Sequence, residues 1–511
     1  MSDEHAGPNA HLAAITVCVT LAAFLEALDG TIASVALPYM QGTMSATQDQ
    51  MGWVLTSYLV AAGIMTPATG FLTERFGMRR VLLISVAGFT LTSMCCGMAQ
   101  SLPEVVLFRL LQGVFGAPLI PLSQTVLMNI YPPEKQGSAM AFWSLVVVAG
   151  PAIGAAIGGW LTFTYSWRYV FFVNVPVGAA CFAGLLMFFS APSEKKAPPK
   201  LDWLGFASLS LAIGALQLLL DRGQEKDWFQ SSEISIEAIV AGSALYVFLI
   251  QTFTSENPFF RPALLRDRNF LAGTLFVTVV GLSFFASLAL QPPYLQGLMG
   301  YPILTTGLVL APAGLAQMVT AMGAGRLIGK VDSRLLLAAG VGLTAWSFQA
   351  RTGWTPDVGP SAIIVNGMLQ GCGIGLMYVP LSILALSGMS PEIRADGASF
   401  FTLLRLLGNS GGVAVVNAMI LRGAQANHDD ISRYVTATNP GLLNPAVAHL
   451  LSPFTAGGRA ALDAVVTTQA QVIAYMDDYK MLTFVTLAMF PLILAFRKPD
   501  AAPASDQAMA H

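Results

Sequence analysis

The chain alternates long apolar runs with short breaks that are charged or rich in proline and glycine. A bilayer core about 30 Å thick requires about 20 apolar residues at 1.5 Å per residue. Fourteen runs of that class occur, near 12–37, 50–72, 81–99, 103–129, 137–163, 168–190, 202–220, 233–253, 269–293, 303–325, 334–350, 360–387, 395–420 and 480–496. They predict an all-α membrane protein. The leading MSDEHAGPNAH has no basic region and the first run contains Glu26 and Asp29, unlike a cleaved signal segment, so it reads as a retained first helix. Between the last two runs, residues 421–479 are polar, Asn/Ala/Thr-rich and weakly amphipathic from Arg459 to Tyr475, which suits either a docking element or a connecting loop.

The chain also repeats itself. Sliding it by 255 residues lays PYMQG at Pro38–Gly42 on PYLQG at Pro293–Gly297, Gly52 on Gly307, Gly70 on Gly325 and Arg79 on Arg334, without a gap. LLQGVFGAPLIPLS from Leu110 resembles MLQGCGIGLMYVPLS from Met368 at an offset of 258. Helices 1 to 6 therefore correspond to helices 9 to 14 in the same direction, with 7 and 8 as an inserted pair. The expected organisation is a six-helix bundle over 1–190, a linker with two inserted helices over 191–268, and a second six-helix bundle over 269–511 that includes the outer segment 421–479. Parallel repeats of this kind enclose a central site opened alternately to each side.

Composition agrees with lipid as the solvent: 55% of residues are hydrophobic, 11% are charged and the mean hydropathy is +0.64. A net charge of −2 gives no attraction for nucleic acid. The positions of the charges are informative. With both termini cytoplasmic, most Lys and Arg fall on that side, including Arg75, Arg79, Arg80, Lys195, Lys196, Arg261, Arg266 and Arg268. Only Arg168, Arg222, Lys226 and Arg351 then lie in short outer loops, as the positive-inside rule requires. The five cysteines sit in apolar runs without CxxC, and the five histidines lie outside the runs, so no metal site is expected. GAGRLIGKV at Gly323 has the wrong spacing for a phosphate-binding loop, and there is no nucleophile with a base. The expectation is a non-enzyme without a cofactor, driven by an ion gradient.

Four ionisable side chains lie deep in the predicted spans: Glu26, Asp29, Arg109 and Arg405. Such residues are costly in lipid, face the bundle interior and usually have partners. Asp29 on helix 1 and Arg109 on helix 4 both fall roughly 10 Å below the outer face at 1.5 Å per residue, so they are expected to face each other, either as a packing ion pair or as a pair that exchanges a proton. Glu26, one turn deeper on the same face, has no neutralising partner at its depth; desolvation then favours its protonated form and marks it as a proton or cationic-substrate site. Arg405 has no acidic neighbour in the pattern and suits backbone carbonyls or an anionic substrate. Between helices 2 and 3, Gly70 and Gly77 permit tight turns, while Glu74, Arg75, Arg79 and Arg80 can pair with charges and helix ends of the two halves. In helix 5, Gly150, Gly154 and Gly158 recur every four residues beside Pro151 and Gly159, allowing close helix approach and a bend. Gln291, Tyr294, Asn366, Gln370 and Tyr378 are further candidates for a substrate cavity rich in adaptable Met and Phe.

These motifs, LDGTIASVALP from Leu28, GFLTERFGMRR from Gly70, RLLQGVFGAPLIPLSQ from Arg109, GPAIGAAIGGWL from Gly150 and WRYVFFVNVPVG from Trp167, resemble those of the major facilitator superfamily. The resemblance is to its fourteen-helix drug:proton antiporters of the EmrB/QacA type, and LDRGQEKDWF from Leu220 with the long outer segment points to the EmrB-type branch. The resemblance implies a multi-pass transporter of a bacterial inner membrane, with small hydrophobic compounds and protons as substrates, a latch in Gly70–Arg80 and an antiporter motif in helix 5. It also implies a periplasmic adaptor (a membrane fusion protein) and an outer-membrane channel as partners. A proton-coupled uptake symporter, an exporter of one metabolite such as a fatty acid, and a non-transporting sensor are the competing functions.

Overall fold

The computed structural model describes residues 8–46, 48–190, 202–386, 388–436, 439, 442 and 451–497. The first run becomes α1 (Pro8–Met44), and the second becomes α2 (Gln48–Met65) and α3 (Ala68–Phe76), bent by 58° where Pro67 interrupts the backbone ladder. Next come α4 (Met78–Met98), then α5 (Leu102–Gly116) and α6 (Leu119–Ile130) broken at Pro118, α7 (Pro133–Thr164), and α8 (Tyr169–Phe172) with α9 (Asn174–Phe188). The inserted pair is α10 (Trp203–Arg222) and α11 (Ser232–Thr254). A short α12 (Ala263–Arg266) leads to α13 (Arg268–Pro293), whose two terminal prolines give way to a π-helical turn, Tyr294–Leu298. The chain continues through α14 (Ile303–Leu327), α15 (Ser333–Arg351), α16 (Pro360–Leu386), α17 (Pro391–Ser432), α18 (Ala456–Leu487) and α19 (Phe490–Ala495).

Every expected run thus has a helix, and the described residues form no named strand. Among the described residues twelve helices are long and apolar enough to cross a membrane, thirteen if α2 and α3 count as one span. The shortfall from fourteen is α15, which packs with the others but carries Arg334, Gln349 and Arg351 and so lacks their hydropathy. One expectation is corrected. Residues 421–479 are not mainly a loop, nor does the last helix begin at 480: α17 runs to Ser432 and α18 starts at Ala456. Their ends pack as a hairpin, with Gly423 against Ala474 and His428 Nε2 3.1 Å from Asp463 Oδ1. Many of the polar residues that hid these turns from a hydropathy reading are exposed, and the helix persists without apolar composition.

Packing follows the repeat. The pairs α1·α7, α2·α5, α4·α5 and α1·α9 have counterparts in α13·α17, α14·α16, α15·α16 and α13·α18. Close approach depends on glycine in both sets. A side chain at Gly150 would meet Ala27 Cβ at 2.9 Å, at Gly154 the Leu28 carbonyl at 2.8 Å and at Gly158 the Ile32 side chain at 2.8 Å. Gly408 and Gly412 of α17 press on the Thr278 and Leu282 carbonyls of α13 in the same way. Without a hydrophobic driving force between helices in lipid, such small-residue contacts supply the packing.

The two sets of helices meet chiefly at the end that carries Arg75, Arg79 and Arg80. There α7 crosses α14 so closely that a Cβ on Gly137 would lie 2.7 Å from the Gly325 carbonyl oxygen, while Arg394 donates to Asn129 Oδ1 at 2.5 Å. Trp143 of α7 stacks on Tyr378 of α16 at 6.2 Å between centroids. This crossing generates a prediction. Gly137→Val should prevent α7 and α14 from closing, so a cysteine placed at the buried Met128, in an otherwise cysteine-free chain, should react faster with maleimide in the valine variant. An unchanged rate would show that the glycine contact does not hold this end shut.

Candidate functional site

Asp29 and Arg109 have no exposed side-chain surface and form an ion pair between α1 and α5. Around them the polar groups interlock. Arg109 also donates from Nη1 to Gln112 Oε1 at 2.9 Å and from Nε to the Val54 carbonyl at 3.1 Å. Asp29 Oδ1 accepts from Gln112 Nε2 and Asn174 Nδ2, each at 2.9 Å, and Asn174 in turn reaches Ser93 Oγ at 3.0 Å. The Tyr58 ring lies 4.3 Å from the guanidinium. Five helices of the first bundle are thus tied to one net-neutral node, the condition under which a charge pair survives in a low-dielectric interior. The helix 5 motif completes it from behind: Gly150 and Gly154 let α7 lie on the turns of α1 that carry Glu26 and Asp29, and Thr31 Oγ1 donates to the Pro151 carbonyl at 3.2 Å. Gly159 stands farther off, 3.8 Å from Val35.

Glu26 is half-buried, with the Tyr58 hydroxyl beside it. Among the described residues no ion pair joins Glu26 to a cation, as the sequence led one to expect. Arg405 of α17 acts on it at longer range, within electrostatic reach. Sequence offsets within one repeat could not reveal an influence exerted between two repeats.

Glu74 has a charged partner from outside its own segment. Its carboxylate pairs at 2.5 Å with Arg261, from the end of the inserted segment, and Arg261 Nε lies 3.3 Å from Asp396 of α17. Gly70 is required here because any side chain would collide with Asp396. Gly77 has φ +85°, a conformation that favours glycine. Arg79 donates to the Phe189 and Leu186 carbonyls at the end of α9, Arg75 lies over Phe76 at 5.6 Å, and Arg80 is exposed.

Three of the cavity candidates, Gln291, Asn366 and Gln370, meet around one cation. Asn366 and Gln370 hold Arg351, which sequence reading had placed in a short outer loop and which is only 1% exposed. Arg351 Nε donates to Asn366 Oδ1 at 2.6 Å, Nη2 to Gln370 Oε1 at 2.6 Å and Nη1 to Ser287 Oγ at 2.8 Å. Gln291 joins the same Ser287 at 3.0 Å, while Tyr294 packs edge-on to Tyr475 and Tyr378 serves the interface with Trp143. Trp354 and Tyr479 lie over the guanidinium at 5.4 and 5.2 Å. Among the described residues no carboxylate pairs with Arg351. The repeat carried a signal for this node, since Gln370 falls on Gln112 at the offset of 258. The deep ionisable set is therefore larger than four, Arg351 and the buried Asp478 being additional.

Two bundles of matched packing, joined at one end around half-buried charges, define a two-repeat membrane transporter fold. Residues 19–413 match the model of the Major Facilitator Superfamily, and the chain belongs to that family. It is 33% identical to the Multidrug export protein EmrB of Haemophilus influenzae, over 95% of each chain. It is equally 33% identical to the Fatty acid resistance protein FarB of Neisseria gonorrhoeae, over 96% of this chain and 97% of that one. Among solved structures, the human organic anion transporter MFSD10 superposes with a TM-score of 0.59 at 14% identity, covering 96% of this chain and all of the other. The proton:xylose symporter XylE superposes with a TM-score of 0.57 at 14% identity, covering 93% and 97%. Both likenesses concern the fold.

The buried ion pair yields a double-mutant prediction. Asp29→Asn leaves Arg109 unanswered and should cost about 3–5 kcal/mol, whereas Asp29→Asn with Arg109→Gln should restore part of that loss. Thermal unfolding of the purified protein in detergent measures both. Additive losses would mean that the pair contributes no coupling.

Proposed function

We propose that this chain is a proton-driven exporter of small hydrophobic or amphipathic compounds, working by alternating access in exchange for protons. The observation that carries this reading is that Glu26 of the first repeat and Arg405 of the second are both half-buried and within electrostatic reach of each other, without an ion pair between them. A proton on Glu26 removes that attraction and leaves Arg405 free to favour the other bundle position or an incoming group; loss of the proton restores it. Asp29 and Arg109 hold α1 in register and, by exchanging partners, can carry the proton past Glu26. Similarity to EmrB multidrug export proteins supports export, as does the glycine motif that seats α7 on α1. FarB similarity supports fatty acids among the compounds carried.

On this reading the arginine-rich end is cytoplasmic, both termini lie inside, and fourteen helices span a bacterial inner membrane. Residues 1–190 and 269–511 are the moving bundles, with 191–268 as the inserted pair. The Gly70–Arg80 latch then closes the cytoplasmic side through Glu74, Arg261 and Asp396, a set that must separate when the transporter opens inward. The α17–α18 hairpin stands on the periplasmic side, where an adaptor leading to an outer-membrane channel would dock. The proton gradient supplies the energy and no cofactor is needed.

The test uses everted membrane vesicles with an acid interior, in which candidate compounds are added and proton release is followed by a pH-sensitive dye. Unaltered protein should release protons on addition of substrate, and Glu26→Gln and Asp29→Asn should each reduce that release to the level of empty vesicles at equal protein content. Release indifferent to both substitutions removes α1 from the proton path; accumulation of compound with protons in the same direction would mean uptake.

A further inference from the structure

At the end of the bundle away from the latch, α17 and α18 diverge around a cleft of about 390 Å³. Its walls are Ala418 and Met419 on one helix and Ala474 on the other, side chains short or pliable enough to leave the space open. Arg422 and Asp477 stand exposed at the rim, opposite in sign. Asp478 lines the cleft from within. It is 1% exposed, and its Oδ2 accepts no hydrogen bond among the described residues. Nor does any ion pair join Arg422 to either aspartate. Arg422 shares the lining with both aspartates without pairing with either, and Asp478 Oδ2 stays without a partner.

A carboxylate withdrawn from water without a donor is unfavourable, and buried polar groups are otherwise almost always satisfied. The missing partner must bring N–H or O–H groups and tolerate apolar walls. A small divalent cation requires several oxygen ligands, which alanine and methionine side chains do not offer. An alkylammonium ion meets both demands, since its nitrogen donates to a carboxylate while its chain lies on alkyl surface.

We propose that the cleft between α17 and α18 binds an amphipathic organic amine in its ammonium form, with the nitrogen on Asp478 and the alkyl body against Ala418, Met419 and Ala474. The site lies on the hairpin, apart from Glu26 and Arg405, and goes beyond the exporter reading. Binding there does not require proton exchange, so it is tested separately from transport.

The experiment is a fluorescence titration of the purified full-length protein in detergent with monodansyl-1,8-diaminooctane, corrected for empty micelles, beside its neutral N-acetyl derivative. The amine should bind more tightly than the acetyl compound. Asp478→Asn should weaken the amine about tenfold or more, as loss of a charge-assisted hydrogen bond implies, and leave the acetyl compound unchanged. Asp478→Asn removes an unanswered buried charge, so its thermal midpoint should not fall. Ala474→Leu, which fills the cleft and keeps the acid, should weaken both compounds. Glu26→Gln should alter neither. Amine binding that ignores both Asp478→Asn and Ala474→Leu, that disappears with Glu26→Gln, or that equals acetyl binding overturns the proposal.

Discussion

Neither side chain of the ion pair between Asp29 and Arg109 has exposed surface, and the rest of the first bundle is arranged to allow it. In lipid a charge must be answered from within the protein, since no solvent can hydrate it. Gln112, Asn174, Ser93 and the Val54 carbonyl provide the answering groups, and each comes from a helix that must approach closely to deliver it. Glycine makes the approach possible. Gly113 lies against the Tyr58 carbonyl, and its repeat counterpart Gly371 lies against Ala313 in the second bundle.

The two bundles share this scaffold but divide the charge unequally. The first holds a neutral pair and the half-buried acid Glu26. The second holds Arg351, fixed by neutral acceptors and aromatic faces, and Arg405, within electrostatic reach of that acid. Fixing Arg351 with Ser287, Asn366 and Gln370 satisfies its donors without cancelling its charge. The second bundle also buries Asp478, next in the chain to the Tyr479 that lies over Arg351, so its interior is not of one sign; protonation of Glu26 changes the attraction between it and Arg405.

The inserted helices are part of this balance. Gln217 of α10 donates to Ser410 of α17 at 2.8 Å, Thr56 of α2 donates to Asp221, and Arg261 bridges Glu74 and Asp396. One strap of chain thus touches both bundles at its middle and at its latch end. Phe260 adds an apolar contact there, 4.1 Å between ring centroids from Phe400.

Apolar run length by itself determined the helical class, the positions of the helices and the repeat, because the lipid solvent imposes span length and backbone satisfaction on each segment separately. It failed where that constraint lapses: the turns of α17 and α18 beyond Leu421 are polar. Sequence also brought Asp29 and Arg109 to one depth, since depth follows from residue count along a helix of known rise. Rotation about the helix axes and the approach of one bundle to the other follow no such count. Tertiary structure alone therefore decided that Arg405 comes within electrostatic reach of Glu26, that the partner of Glu74 is Arg261, and that Asn366 and Gln370 hold Arg351. Those partners come from segments distant in sequence, and only their packing brings their side chains within reach of one another.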